Sequence, residues 1–355
     1  MLYVTTRDTE QYYTAGQVME LPAAPDRALF VPIRLPELDE NQQNELLSMP
    51  FSACIAAILN LFFPVNLTAE QVASAMEGSV DFVFLHHKTA MAELWHNKEN
   101  SVSYGMRRLL ELMGCKSREA EQWPLVAVGI ALLFGMFGQL QQSGHPDFQG
   151  NINLAVASGN FTMPMSAWYA KKMGLPIHKV ICGCNQNSAP WELIHKGELR
   201  LDGQLYHTNT PLLDVTIPCN LERLLFACFG VAGSLTFGSA KVRRKTLRLE
   251  PEQMAVLQED LSVSVIGGSR TRSFISRIYK TAYYLMSPYT ALVYNGLLDY
   301  RALARESIPA VVLAEEGPVV CAAEVLAAME LPQEELTKQI ERLLEAAALK
   351  RKARG

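Results

Sequence analysis

The stretch Ala157-Ser158-Gly159-Asn160-Phe161 ends an apolar run of strand length and opens a helical pattern. Glycine at such a junction lets backbone N–H groups approach an anion, and the first helical turn adds partial positive charge. Strand-to-helix turns with Ser-Gly are also common where nothing binds. His86, His87 and His96 could suggest a metal, but adjacent histidines on a strand point to opposite faces and cannot chelate together. Cys182 and Cys184 share one strand face without partners for a zinc or redox site, so they read as buried thiols. Met163, Met165 and Met173 read as core. Glu222 and Arg223, at a helix start, read as capping and surface charges. No serine or cysteine sits in a strained nucleophile elbow.

The elements around these residues alternate. Apolar residues at three- and four-residue spacing predict helices over Glu40–Met49, Ser52–Phe62 and Thr68–Met76, the last with a cap-like Thr68 and Gln71. Asp81–His86 reads as a buried strand, and Asn100–Met113 as an amphipathic helix. After a polar link, 114–122, comes the apolar helix Trp123–Leu140. Its most apolar part, Leu125–Phe137, is too short to span a bilayer and reads as a core helix. Strand Ile152–Ala157, helix Phe161–Met173 and strand Lys179–Cys184 form a crossover, which implies parallel sheet. Helices over Asn220–Phe229, Arg270–Leu285 and Tyr289–Leu303 follow. A strand Ala310–Leu313 and helices Glu324–Met329 and Gln333–Ala347 complete the chain. The class is α/β.

Several segments in order carry a family resemblance. They are Ala157-Ser158-Gly159-Asn160-Phe161; a helix ending Lys171-Lys172-Met173-Gly174-Leu175-Pro176; Gly183-Cys184-Asn185-Gln186-Asn187; Thr210-Pro211-Leu212-Leu213-Asp214; and Asn220-Leu221-Glu222-Arg223-Leu224-Leu225. With Tyr3-Val4-Thr5-Thr6-Arg7 and Leu29-Phe30-Val31-Pro32 near the start, the chain resembles threonine synthase, a pyridoxal-phosphate enzyme of fold type II. That resemblance implies the tryptophan synthase β-like scaffold, a parallel sheet flanked by helices. It also implies a reaction of O-phosphohomoserine and water to threonine and phosphate, with the cofactor as electron sink on one lysine.

The resemblance also implies where this sequence departs from the family. The family lysine falls on Glu93, in Val83-Phe84-Leu85-His86-His87-Lys88-Thr89-Ala90-Met91-Ala92-Glu93-Leu94, and a carboxylate forms no imine. Lys88 and Lys98 are the nearest amines, five residues to either side. The degenerate phosphate loop is Ser158, Gly159, Asn160, Phe161 and Thr162. Thr162-Met163 replaces a Gly-Asn pair, Thr162 resists a positive φ, and Pro164 supplies no N–H. Glu315 stands where the family places a hydroxyl facing the pyridine nitrogen, and Ser287-Pro288-Tyr289-Thr290-Ala291 replaces Asp-Pro-His-Thr-Ala. The small substrate domain, with its Ser-Gly-Asp-Thr-Gly motif, is expected to be largely deleted near 114–122.

The domain expectation is therefore an N-terminal, mostly helical segment over 1–78 and a remnant α/β domain over 79–355. The function expected is a non-catalytic threonine synthase-like protein acting as a binding or partner subunit, with no catalytic residue, no bound cofactor and no metal. The alternative is a pyridoxal-phosphate enzyme with a relocated lysine. Homo- or hetero-association through the exposed former cleft is the partner expectation. A net charge of -4 gives no electrostatic case for nucleic acid, and Lys350, Arg351, Lys352 and Arg354 read as a solvated basic tail. Seven scattered cysteines and an N-terminus without a signal-peptide pattern point to the cytoplasm, with no membrane association.

Overall fold

The computed structural model of the chain describes residues 1–353. It opens with a small antiparallel sheet of β1 (Leu2–Thr5), β2 (Tyr13–Thr14) and β3 (Phe30–Pro32), with the short helix α1 (Ala15–Glu20) between the last two. These strands went unread because each is four residues or fewer, too short for an alternation to show. Helices α2 (Glu40–Ser48), α3 (Phe51–Phe62) and α4 (Ala69–Met76) lie where periodicity puts them. Thr68 caps α4 in a capping box with Gln71.

The main sheet has six strands in the order β10-β7-β6-β11-β5-β4. They are β4 (Asp81–Leu85), β5 (Thr89–Glu93), β6 (Ile152–Ala157), β7 (Ile177–Cys184), β10 (Leu261–Val265) and β11 (Ala310–Ala314); β8 (Glu198–Arg200) and β9 (Thr246–Arg248) pair separately. The expected crossover is present: β6 and β7 run parallel, Ala155 opposite Ile181. The sheet is mixed rather than all parallel, because β4 returns antiparallel to β5 as an exposed edge strand. Asp81–His86 is thus not a buried strand. His86 lies in the hairpin turn, where His87 and Lys88 take φ of 60° and 51°. A strand-face argument therefore does not apply to these histidines.

Helices cover both faces. On one lie α5 (Val102–Leu112), α6 (Trp123–Gln142) and α7 (Thr162–Lys172), whose apolar residues share a core with α3, β6 and β7. Helix α6 runs two residues beyond the expected Leu140 and is long and apolar enough to cross a membrane, but it is the buried centre of this core. The chain continues through the short α8 (Ala189–Trp191), α9 (Leu221–Arg243) and α10 (Pro251–Asp260). The expected helix at Asn220–Phe229 does not stop there; it resumes beyond a break at Gly230, φ 65° and ψ -160°. The second face carries α11 (Gly268–Ala282) and α12 (Pro288–Ala304), then α13 (Ala322–Ala328) and α14 (Leu336–Lys352). Helix α12 lies directly on β7, since a Cβ on Gly183 would stand 2.6 Å from Leu292. Lys350, Arg351 and Lys352 end α14, where cations suit the helix C-terminus; Arg354 lies outside the described residues.

Candidate functional site

In open α/β sheets, ligand clefts form beyond the carboxyl ends of parallel strands. Here β6 and β11 end side by side, and a cleft of about 240 Å³ opens past them. One wall is Ser158, Gly159 and Asn160, with Thr162 and Met163 from the first turn of α7. The opposite wall is Glu315 and Glu316, which follow β11. Ser103, from the first turn of α5, and Tyr289, from α12, also line the cleft, and Leu212 at its edge is 59% exposed.

The loop keeps a turn geometry despite its altered sequence. Positive φ falls on Gly159 (42°) and Phe161 (63°), while Thr162 is already helical. The expectation that Thr162 spoils the loop by resisting a positive φ is therefore corrected, because Phe161 takes that conformation and its ring is fully buried. No side chain caps α7. Asn220 pins the loop from behind, its Nδ2 donating to the Asn160 carbonyl at 3.0 Å and to Thr162 Oγ1 at 3.2 Å.

The two glutamates set the electrostatics. Burial, and next the charge of Glu316, push the Glu315 carboxyl up to about 8, against a partial offset from the Ala157 backbone N–H. Its Oε1 is sealed from solvent and has no hydrogen-bond partner among the described residues. Burial pushes Glu316 up to about 7, opposed by Ser101, which donates to Glu316 Oε1 at 2.8 Å, and by the more distant charge of Arg107. Arg107 itself is paired with Glu99. Cys321 and Tyr289, from the other side, both feel the Glu316 charge. Among the described residues, no lysine, arginine or histidine lines the cleft.

Glu93 is not part of this cleft. It ends β5 opposite Ala314 and is 8% exposed. Its Oε2 lies 2.8 Å from His96 Nε2. That hydrogen bond, with the charges of Glu93 and Asp81, raises the imidazole against the opposing effect of burial. On the other side is Tyr284, whose phenol is held well above its ordinary value by burial first and by Glu93 second. Glu93 thus does not line the cleft that Ser158, Gly159, Asn160, Thr162 and Glu315 share, although it ends β5 beside Ala314, the residue before Glu315.

The two nearby amines lie elsewhere. Lys88 sits in the hairpin turn before β5, at the opposite edge of the sheet, roughly 16 Å along the strand from Glu93. Its Nζ is 3.7 Å from Asp147. Lys98 is exposed, 3.3 Å from Glu77 and 4.7 Å over the Tyr104 ring. Between α5 and α6 the chain passes in a short link, tied back by the Lys116 N–H to the Met19 carbonyl.

Glu316 and Ser103 join the site without having been singled out from sequence, and only the adjacency of Glu316 to Glu315 could have flagged either; Asn220 and Tyr289 lay in resembled segments but were given no role. Glu222 and Arg223 are the reverse case, buried rather than surface charges. Glu222 accepts from Arg7 at 2.9 and 2.7 Å and from Thr6 at 2.7 Å. Arg223 Nε donates to the Phe30 carbonyl at 3.1 Å, with Asn220 and the Glu121 carbonyl completing its partners.

Residues 2–80 match the family described as threonine synthase N terminus. "Threonine synthase-like 1" of Macaca fascicularis is 30% identical over 156 residues, 43% of this chain and 21% of that protein. Threonine synthase of Pseudomonas aeruginosa is 26% identical over 176 residues, 48% of this chain and 36% of that protein. The aligned part of the chain spans about a fifth of the length of the first curated relatives it matches. Among solved structures, pyridoxal-phosphate-bound threonine synthase from Brucella melitensis superposes with a TM-score of 0.84 at 17% identity, covering 96% of this chain and 94% of that one. Yeast threonine synthase gives 0.79 at 16% identity, covering 98% and 99%.

Proposed function

For a chain related to the threonine synthases in sequence and in fold, we propose a non-catalytic role, as a threonine synthase-like binding protein. The observation that carries this reading is the cleft itself, which has two glutamates and no amine within it. An imine cofactor needs a lysine, and a phosphate needs donors rather than carboxylates. The residues present do not fit pyridoxal phosphate. Lys88 and Lys98 are both engaged at the surface, in ion pairs with Asp147 and Glu77. The size of the cleft, below the roughly 300 Å³ where most ligand pockets begin, also favours a smaller occupant.

The short link between α5 and α6 supports the loss of the substrate domain as part of the same reading. Association with a second copy or another subunit at the cleft mouth, around exposed Leu212, belongs to this proposal too. Free thiols throughout the described residues agree with a reducing, cytoplasmic setting.

The test is incubation with excess pyridoxal phosphate followed by borohydride trapping and peptide mass spectrometry. No visible imine band and no pyridoxyl-lysine at a unique site is the expected result. A stoichiometric adduct on Lys88 or Lys98 would establish an enzyme with a relocated lysine instead.

A further inference from the structure

Once its two glutamates ionise, the cleft carries charge opposite to that of an anion site's lining. The first turn of α7 offers about half a positive charge, reduced by Pro164, which has no N–H to give. Facing it are two carboxyls, each a full negative charge when ionised. Full charges at hydrogen-bonding distance outweigh a partial one, so an occupant that ionises both glutamates must itself be positive. Glu315 and Glu316 are the carboxyl acceptors in the cleft wall. Ser158, 4% exposed, makes no side-chain hydrogen bond among the described residues and lines the same space. A metal ion is a poor match, since the described residues hold no cluster of three or more metal-ligating side chains.

We propose that this cleft binds a small organic cation, a primary ammonium held between Glu315 and Glu316 with its polar tail toward Ser158 and Asn160. The inference rests on the reading above that pyridoxal phosphate does not occupy the cleft. Arg107, paired with Glu99, acts on Glu316 only at a distance, and no other cation among the described residues lines the cleft. Ser101 and the Ala157 N–H, facing from neighbouring elements, already orient them. Because both carboxyls hold protons up to about 8 and about 7, cation binding displaces protons, and affinity rises with pH.

The experiment is isothermal titration of the full chain with ethanolamine, in paired buffers of different ionisation heat, at pH 6 and pH 8. The same titrations are run with inorganic phosphate and with pyridoxal phosphate. The expected result is ethanolamine binding at one site, about one proton released near pH 7.5, and affinity higher at pH 8 than at pH 6 by on the order of a hundredfold or more. Glu315→Gln and Glu316→Gln should each weaken binding by about tenfold or more, with urea midpoints confirming that both variants fold. Phosphate bound more tightly than ethanolamine, or ethanolamine binding untouched by both variants, overturns the proposal. If neither ethanolamine nor pyridoxal phosphate binds, the proposal fails while the non-catalytic reading stands. An imine with pyridoxal phosphate removes both.

Discussion

Replacing Glu315 with glutamine should make the protein more resistant to unfolding at alkaline pH, although the change deletes an ionisable group. The wild-type carboxyl titrates near 4.5 when unfolded and near 8 when folded. Stability that depends on the bound proton is fully present below about 4.5 and is lost progressively until the pH passes about 8. Each pH unit of that interval is worth about 1.4 kcal/mol, which gives an upper bound of about 5 kcal/mol. The cleft mouth admits water, so about 2–3 kcal/mol should survive in practice. Glutamine keeps the shape of the neutral acid and cannot ionise. Urea unfolding at pH 5.5 and pH 9 reads the difference as a midpoint shift at constant slope. At pH 5.5 the variant should exceed the wild type by only about 1 kcal/mol, and at pH 9 by about 2–3 kcal/mol. Equal destabilisation of the variant at both values, or parallel pH profiles, would refute the account of a strained, buried carboxyl.

Other perturbations follow from the same geometry. Glu93→Lys should not restore an imine with pyridoxal phosphate, since the cleft still offers two carboxyls in place of a phosphate cradle; it should cost about 3 kcal/mol by burying a cation beside His96 without a partner, read as a lowered urea midpoint. Glu222→Ala should cost about 3 kcal/mol, because Arg7 and Thr6 lose their acceptor and the N-terminal strand loses its tie to α9; Arg7→Ala with it should cost little more than either alone. Gly183→Ala should lower thermal stability by about 1–3 kcal/mol, the added methyl meeting Leu292 and the Val293 backbone.

Much of the scaffold was legible because local and global signals agree there. The β6–α7–β7 unit has strands of six and eight residues, mostly apolar, around a helix with clear stop signals, so periodicity alone places it. The segment Thr89–Glu93 was not legible as a strand. Apart from Met91 its residues are small or polar, and it becomes extended because β4 and β11 satisfy its backbone on both sides. For the same reason Glu93 looked like a cleft residue, when long-range packing turns it toward His96 and Tyr284. Buried Glu222 and Arg223 were misread because their partners, Arg7, Thr6 and Phe30, lie some two hundred residues away in sequence. The positive φ of Phe161 is set by burial of its ring, which outweighs local preference. The glutamate pair was half visible: Glu315 stood out as a departure from a resembled motif, whereas its coupling to Glu316 required the bridge to Ser101.

The measurement that tests the central claim most directly is the visible spectrum of the purified chain titrated with pyridoxal phosphate and then reduced with borohydride. The account predicts no protein-bound imine band, and only sparse, scattered pyridoxyl-lysine by mass spectrometry. A saturable imine band that reduces to one stoichiometric pyridoxyl-lysine would contradict it.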